Sequence, residues 1–176
     1  DLEGPVDSGK LMRTLLAKVQ AQGVQVHFSV GVKAVEERAD GAVLRLVSDE
    51  QLRAPQVVVA TNGYAKELLP ELDVQPARGQ VLLTAPIPGL RLKGTFHADE
   101  GYLYFRDFAG GVLLGGGRNL DKTGEATTED AVTPQIQEHL EQLLRTTILH
   151  DEPFTIARRW SGVMGFGCEG KSPLVE

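Results

Sequence analysis

The chain has 176 residues, the size of one domain or of two small lobes, and 41% of them are hydrophobic, enough to bury an ordinary core. The net charge of -6 and the absence of any Lys/Arg run argue against a nucleic-acid or anionic-membrane partner. No apolar stretch approaches the roughly 20 residues that a bilayer span needs, and no signal peptide opens the chain. The single cysteine, Cys168, is read as a free thiol and fits a reducing compartment, so we expect a cytoplasmic protein.

A helix is the first predicted element. Asp7 or Ser8 can cap it, because a short side-chain oxygen accepts hydrogen bonds from the free amides of the first turn. Gly23 ends it, because glycine adopts the left-handed conformation beyond the last turn. One face of this helix carries Leu11, Leu15, Leu16 and Val19.

Short strands are predicted next. Residues 24–28 alternate between apolar and polar side chains, which indicates a strand. Residues 32–37 and 42–47 are extended runs, and the Ala-Asp-Gly segment 39–41 between them predicts a hairpin turn. A third short run is expected near Leu52, which completes a small antiparallel meander.

A buried strand with a polar end is predicted at residues 56–60. This run is apolar on both faces, as in the strands of a covered parallel sheet. Thr61, Asn62 and Gly63 follow it, and ligands in open α/β sheets bind beyond the carboxyl ends of strands. Local sequence alone leaves two interpretations open, a ligand-binding turn and an ordinary Asn-Gly turn.

The second half predicts a mostly antiparallel sheet with one main helix. Thr133 followed by Pro134 indicates the start of the helix, because proline suits the first helical position. The buried stripe of that helix is Ile136, Leu140, Leu143, Leu144 and Ile148. Extended runs are predicted at 76–85, 102–105, 112–114 and 154–164, with a polar loop at 119–130. Trp160, in the last run, is interpreted as a core residue.

The predicted fold class is therefore α/β (α+β). Residues 1–75 form an α/β lobe with a small antiparallel meander, and residues 76–160 form an antiparallel-sheet lobe. The chain begins at Asp1 without a methionine and stops at Glu176 within an apparent strand. We therefore expect an internal segment of a longer protein.

Five motifs occur in a characteristic order. They are Ala60-Thr61-Asn62-Gly63-Tyr64, Leu68-Leu69-Pro70, Pro76-Ala77-Arg78-Gly79-Gln80-Val81, Tyr102-Leu103-Tyr104-Phe105-Arg106 and Arg159-Trp160-Ser161-Gly162. Their order and spacing, across nearly the whole chain, resemble the D-amino-acid oxidase/glycine oxidase superfamily of FAD-dependent oxidoreductases. The subgroup that includes gamma-glutamylputrescine oxidase is the most similar.

The resemblance implies that successive segments of the chain belong to different functional lobes. Residues 1–75 are expected to be part of an FAD-binding lobe, residues 76–160 a substrate-binding lobe, and residues 161–176 the start of a return to the FAD lobe. The implied cofactor-binding residues are Val32, near the adenine, and Ala60, Thr61, Asn62 and Gly63. Tyr104, Arg106 and Arg118 are the candidate substrate-binding residues.

The chemistry implied by the resemblance is hydride removal from a carbon–nitrogen bond of a small amine or amino acid to the flavin. The flavin does the difficult step, so no protein nucleophile is required, and no catalytic residue is assigned. The four histidines lack metal-ligand spacing, so we expect no metal. Covalent or non-covalent flavin attachment, the electron acceptor and the oligomeric state stay open.

Two features depart from the family pattern. The Gly-rich fingerprint that holds the pyrophosphate at a helix N-terminus is absent; a G-x-G-x-x-G string at 165–170 precedes Lys171-Ser172-Pro173 and is interpreted as a flexible loop. We therefore expect FAD in the longer protein and little affinity in this segment alone. No arginine follows Trp160 closely to pair with a carboxylate, which favours an amine or substituted amine over a plain amino acid.

Two alternatives remain from sequence. A non-catalytic binding module that keeps this fold predicts that even the full-length protein purifies without colour. A nucleotide-modifying enzyme with this fold as one domain calls for basic patches that the sequence lacks. The three consecutive glycines 115–117 are interpreted as the end of a strand where another chain or the substrate approaches closely.

Overall fold

The computed structural model describes residues 5–150 and 152–167, which fall into two compact units, Asp1–Val59 and Ala60–Glu176. Both sheets that the described residues form are antiparallel throughout. No helix in these ranges combines the length and the apolar character that crossing a membrane requires. The predicted mixture of helices and small antiparallel sheets is confirmed. The functional division into lobes at residues 75/76 and 160/161 stays a prediction.

The first unit begins with helix α1, Ser8–Ala21, as the sequence predicts. The Asp7 carboxylate caps it by accepting a hydrogen bond of 2.9 Å from the Lys10 amide. Gly23 follows with φ +83°, the left-handed conformation expected after a helix. No residue of α1 is buried, and Leu11 and Leu15 are 48% and 44% exposed. The predicted stripe therefore exists but is uncovered in this unit.

Three strands, β1 (Val32–Arg38), β2 (Gly41–Leu46) and β3 (Gln51–Ala54), form the predicted meander. The turn at residues 39–40 joins the first two strands. Gly41 has φ +140°, and a Cβ there would lie 2.4 Å from the Ala54 carbonyl oxygen, so only glycine fits. Val43 and Leu46 are the buried apolar side chains of this small sheet.

Two predicted strands, residues 24–28 and 56–60, are wrong: both segments are irregular. Their side chains are largely in solvent, with Phe28 70% and Val58 88% exposed. A strand is stabilised by hydrogen bonds to a neighbouring strand, and neither segment has one within the described residues. Alternating and apolar patterns indicate that a segment can pack on a sheet surface. Such a segment forms a strand only where a neighbouring strand is available to pair with it.

The second unit is built on a five-stranded sheet of order β5-β6-β7-β4-β8. Its strands are β4 (Val74–Thr84), β5 (Thr95–Ala98), β6 (Leu103–Phe108), β7 (Gly111–Gly116) and β8 (Ile156–Gly167). All four predicted extended runs are confirmed, while the edge strand β5 was not predicted. A short helix, α2 (Ala65–Leu68), precedes the sheet.

Helix α3, Pro134–Leu143, packs on one face of this sheet, with Thr133 and Pro134 at its start as predicted. It continues into a π-helical turn, Leu144–Ile148. The core between helix and sheet consists of residues with 0% exposure: Leu82, Val112, Leu114, Ile136, Leu140 and Leu144. Burial of each such side chain stabilises the unit by about 1.5–3 kcal/mol relative to exposure. The predicted helix stripe is therefore a core stripe.

Candidate functional site

The sheet of the second unit has one face against α3 and an opposite face, which we call the open face. Its central row is Tyr104, Gly115, Val81 and Trp160, which are paired in register across β6, β7, β4 and β8. Side chains of successive residues point to opposite faces, so this row faces away from Leu82 and Leu114. Trp160 is half-buried on this face and lies outside the core cluster, which corrects the interpretation of Trp160 as a core residue.

The Tyr104 ring lies flat over Gly115. A Cβ on Gly115 would be 2.5 Å from the Tyr104 ring and hydroxyl, so the glycine is required for this arrangement. Burial raises the pKa of the Tyr104 hydroxyl above its usual value. Tyr104 is therefore a neutral hydrogen-bonding group near pH 7, held by the sheet beneath it. The group that closely approaches Gly115 is the Tyr104 side chain of the same chain, whereas the sequence predicts another chain or the substrate there.

The next row on the open face places an arginine at each side. Arg106 and Arg158 flank Leu113 and Leu83 across the same four strands. The Arg106 Nε donates to the carbonyl oxygen of Asp107 at 3.1 Å. The Arg158 guanidinium lies 5.8 Å from the centre of the Trp160 ring. Cationic groups thus border the aromatic row at one end.

The other end of the open face has little side-chain bulk. Gly79 pairs with Gly162, and a Cβ on Gly162 would meet no atom within 4 Å. The Met164 Cε lies 3.1 Å from a Cβ built on Gly79, so Met164 covers that glycine. At this end the Arg118 guanidinium lies 5.0 Å from the centre of the Phe166 ring. The open face is therefore a shallow floor with aromatic sides and arginines at both ends.

The predicted cofactor-binding turn docks on β8 of the same unit. Residues Asn62–Tyr64 form a single 3-10 turn, and the Asn62 Oδ1 accepts a hydrogen bond of 2.7 Å from the Gly165 amide. A Cβ on Gly63 would be 2.6 Å from the Met164 carbonyl oxygen. The close approach that requires glycine here is thus to β8. Ala60 and Thr61 are exposed before the turn.

A polar network is buried beneath the opposite face of the sheet. Arg78 and Glu125, with 4% and 1% exposure, form a two-pronged ion pair at 2.6 and 3.1 Å. Gln80 donates to Glu125 at 3.0 Å and to Thr133 Oγ1 at 2.9 Å. The hydrogen bond with Glu125 raises the pKa of the Arg78 guanidinium, which stays charged. The sequence indicates Arg78 only as part of a motif and predicts a polar loop around Glu125.

This network fastens the loop before α3 to β4. Gln137 on α3 donates to Gln80 Oε1 at 3.2 Å and accepts from Arg159 on β8 at 2.7 Å. Arg159 also pairs with Glu141 of α3. No buried side-chain nitrogen or oxygen in the described residues lacks a partner. The network therefore stabilises the strands whose other side forms the open face.

Of the predicted substrate residues, the structure brings Tyr104 and Arg106 together and places Arg118 at the far end of the same face. Asn62 and Gly63 reach that far end through β8, next to Phe166. Val32 begins β1 in the first unit. The structure adds Trp160 and Arg158 to the candidate set. The strand alternation of residues 154–164 was the sequence signal that put both on one face.

A dinucleotide phosphate loop is not found among residues 5–150 and 152–167. Gly165 to Gly167 belong to the extended strand β8, and residues 168–170 of the G-x-G-x-x-G string, including Cys168, lie outside the described residues. The described residues thus do not fit the pyrophosphate of FAD. Nor do they group three or more potential metal ligands.

Solved structures with a similar fold include a proline dehydrogenase and a glycine oxidase. The chain matches L-proline dehydrogenase from P. horikoshii with a TM-score of 0.70 at 17% identity, over 90% of this chain and 43% of that one. It matches glycine oxidase from Geobacillus kaustophilus with a TM-score of 0.68 at 21% identity, over 86% of this chain and 40% of that one. At these identities the likeness establishes the fold.

Curated relatives match shorter stretches. The bifunctional protein ThiO/ThiG of Synechocystis sp. is 38% identical over 81 residues, 46% of this chain and 12% of the relative. The tRNA 5-methylaminomethyl-2-thiouridine biosynthesis bifunctional protein MnmC of Aeromonas salmonicida is 33% identical over 96 residues, 53% of this chain and 14% of the relative. The chain thus spans about one eighth of the length of these relatives and less than half of those solved structures.

The family itself is established by sequence. The model of the FAD dependent oxidoreductase family matches residues 2–176. The chain belongs to this family, and it covers a part of the proteins in which that fold occurs. The resemblance seen in the five motifs is confirmed, while the subgroup stays a prediction.

Proposed function

We propose that this chain carries the substrate-facing sheet of an FAD-dependent oxidoreductase that oxidises a carbon–nitrogen bond of a small amine or amino acid. The observation that carries the proposal is the open face. One side of the sheet is closed by α3 and a complete core, while the other combines a low floor with aromatic and cationic side chains. Apolar and aromatic side chains with a small number of placed polar groups are typical of small-molecule sites.

The dimensions of the open face suit a small molecule. Tyr104 and Trp160 are three strand spacings apart, about 14 Å between backbones. Gly115, which the Tyr104 ring covers, and the buried Val81 lie between them. Aromatic side chains at this spacing bury an aliphatic substrate and exclude water, because they contribute large apolar surfaces. The neutral Tyr104 hydroxyl is then a hydrogen-bond partner for an uncharged or cationic nitrogen.

The arginines of this face supply charge recognition. Guanidinium groups bind carboxylates with two parallel hydrogen bonds, so Arg106, Arg158 and Arg118 favour a substrate with an anionic substituent. Arg106 and Arg158 lie at one end of the open face and Arg118 lies at the other. An acidic group can therefore be bound at either of two positions relative to the central row. A substituted amine with a distal acidic group fits this arrangement better than an amine without one.

The flavin supplies the hydride acceptor. The role proposed for this chain is to bind and orient the substrate and to keep water away from it. Asn62 and Gly63 contribute by fixing the end of β8, and we keep Val32, Ala60, Thr61, Asn62 and Gly63 as the proposed cofactor-side residues. No phosphate grip belongs to the described residues, so we propose weak FAD binding by residues 1–176 alone and firm binding by the full-length protein.

A second candidate substrate is an amine carried on a nucleoside. The 33% identity with a relative named for tRNA 5-methylaminomethyl-2-thiouridine biosynthesis favours it. The net charge of -6 opposes a phosphate-contacting surface on this chain. The aromatic sides of the open face can stack a base, since base–aromatic stacking requires no net positive charge.

The deciding experiment uses the full-length protein. Its flavin content is measured from the visible spectrum, and flavin reduction is then followed without oxygen against primary amines, N-substituted amines, amino acids, acidic amines and a methylaminomethyl nucleoside. Rapid bleaching by one amine class and not by the matched alcohols supports the proposal. A colourless protein that gains no flavin on reconstitution contradicts it and favours the non-catalytic binding module.

A further inference from the structure

A separate apolar cavity lies on the helix side of the second unit. We propose that it is a binding site for an uncharged, flat apolar molecule about the size of two fused rings, separate from the open face. The cavity has a volume of about 390 Å³, within the range of pockets that hold small molecules. Its lining residues are Leu92, Phe96, Ala98, Leu103, Phe105, Leu114, Leu143, Thr147 and Ile148.

Three elements enclose this cavity. Alternate residues of the edge strand β5 and of β6 form its floor: Phe96 pairs with Phe105, and Ala98 with Leu103. Leu92, from the segment before β5, closes one side. Leu143 at the end of α3 and the π-helical turn close the other. A small molecule in this cleft would contact the sheet, the segment before β5 and the helix end together.

The π-helical turn shapes the wall. The Leu149 amide donates to the Leu144 carbonyl oxygen, five residues earlier, at 2.8 Å. This wider turn keeps Leu144 and Leu149 in the core while Thr147 and Ile148 line the cavity. Single π-helical turns within α-helices are rare and occur frequently at functional sites. Here the wide turn falls at the wall of this apolar cavity.

The chemistry of the lining selects the ligand class. Eight of the nine side chains are hydrocarbon, and the ninth is the neutral Thr147 hydroxyl. The Phe96 and Phe105 rings are stacked, with centroids 4.9 Å apart and planes at 11°. Phe96 is still 38% exposed, so a further ring can extend the stack. A charged ligand would lose its hydration without gaining a partner, which excludes anions and cations.

This cavity is independent of the proposed function. Phe96 and Ala98 point to the helix side, whereas their neighbour His97 pairs with Tyr104 of the open face. The substrate and the apolar molecule would therefore occupy opposite sides of the same strands. Binding in the cavity can be tested whether or not the amine chemistry holds.

The test uses full-length protein and the probe 1-fluoronaphthalene, observed by fluorine NMR, which flavin absorbance does not disturb. Saturable binding of one probe per chain is expected. The variants Ala98→Phe and Thr147→Phe place a ring in the cavity from two different elements. Each should weaken probe binding by about tenfold or more, because the probe loses the space it occupies.

The matched control is His97→Phe, which adds the same ring to the same strand on the opposite face. Its probe affinity should stay within about twofold of the unaltered protein. Circular dichroism and thermal unfolding identify any variant that does not fold, and the second filling variant then decides. Absence of saturable binding to the unaltered protein overturns the proposal. The proposal is also overturned if both folded filling variants keep the probe affinity of the unaltered protein, or if His97→Phe lowers that affinity as much as they do.

Discussion

The two units of the chain differ in how completely each one buries its own apolar surface. The second unit has six fully buried apolar side chains between α3 and the sheet. The first unit buries Val43 and Leu46, while α1 has no buried residue. Large apolar side chains of the first unit remain exposed: Val6, Leu11, Met12, Leu15, Val24, Phe28, Val30, Val47, Leu52 and Val58.

This contrast shows where amphipathic patterning is satisfied locally. The sheet and α3 bury each other's stripes, so the second unit has the usual architecture of two packed layers. The stripe of α1 and the apolar run at residues 56–60 have no such layer in the first unit. Exposed apolar surface of this extent is typical of a surface that packs against another part of a protein or a partner. We expect the first unit to depend on contacts beyond itself far more than the second.

The largest expected effect is at the buried ion pair of the second unit. Glu125→Ala removes the buried partner of the Arg78 guanidinium, which among the described residues keeps only the Glu129 carbonyl oxygen at 3.3 Å and the exposed Glu129 carboxylate at 3.9 Å. The loss should cost about 3–5 kcal/mol of unfolding free energy. The measurement is urea unfolding of the full-length protein. In the first unit, Glu36→Ala removes the exposed contacts with Arg38 and Arg45 and should change the unfolding midpoint little.

The matched control is the double variant Arg78→Met with Glu125→Leu. It removes both charges and leaves none unpaired, so it should be more stable than Glu125→Ala. Equal losses from Glu125→Ala and Glu36→Ala would remove the contrast between buried and exposed ion pairs in the two units.

The second effect concerns the apolar contrast directly. Leu114→Ala opens a cavity at a residue with 0% exposure and should cost about 3 kcal/mol. Leu15→Ala on α1, at a residue 44% exposed, should cost about 1 kcal/mol or less if the first unit stays as it is described. Both are measured by denaturant unfolding. A loss at Leu15 as large as that at Leu114 would show that another part of the full-length protein covers α1.

The third effect links packing to the proposed site. Gly115→Ala places a methyl group 2.5 Å from the Tyr104 ring, which must move; a loss of about 1–3 kcal/mol is expected from such overpacking. The rate of flavin reduction at low substrate concentration should fall as well. Gly162→Ala is the control for stability, because its methyl group meets no atom within 4 Å. Unchanged reduction kinetics in Gly115→Ala would separate Tyr104 from substrate binding.

The smallest effect is at the cap of α1. Asp7→Ala removes the acceptor for the Lys10 amide and should lower the melting temperature slightly, whereas Asp7→Asn should preserve it. The hydrogen bond from the Lys10 amide lowers the pKa of Asp7. Because the pKa of Asp7 is lower in the folded state, its ionised carboxylate stabilises the folded state at pH values above the unfolded-state pKa. This stabilisation is lost as the pH falls through the folded-state pKa. The difference between Asp7→Ala and the unaltered protein should therefore shrink in acid.

Elements bounded by clear turn or helix-start residues were predictable from the sequence. The Ala-Asp-Gly turn fixed the β1–β2 hairpin, and Thr133-Pro134 fixed the start of α3, because these residues act through local backbone geometry. Residues 24–28 and 56–60 had equally clear strand patterns but no partner strand in the described residues. Strand formation depends on a neighbour that sequence periodicity does not report.

The site was predictable in its residues more than in their arrangement. Tyr104 and Arg106 follow from the family resemblance, yet the row that joins Tyr104 to Trp160 depends on the strand order β6-β7-β4-β8. The Arg78–Glu125 pair is separated by 47 positions, and the chain offers no local signal for it. The assignment of these side chains to cofactor or substrate stays a prediction until it is measured.

The alternation along β4 has a consequence for the effect of substitutions. Arg78, Gln80 and Leu82 serve the helix side, while Gly79 and Val81 serve the open face. The odd-numbered and even-numbered positions of β4 therefore have different roles, one on each face of the sheet. Substitutions at the odd positions are therefore expected to alter the open face, while the even positions hold the core and the Arg78–Glu125 network.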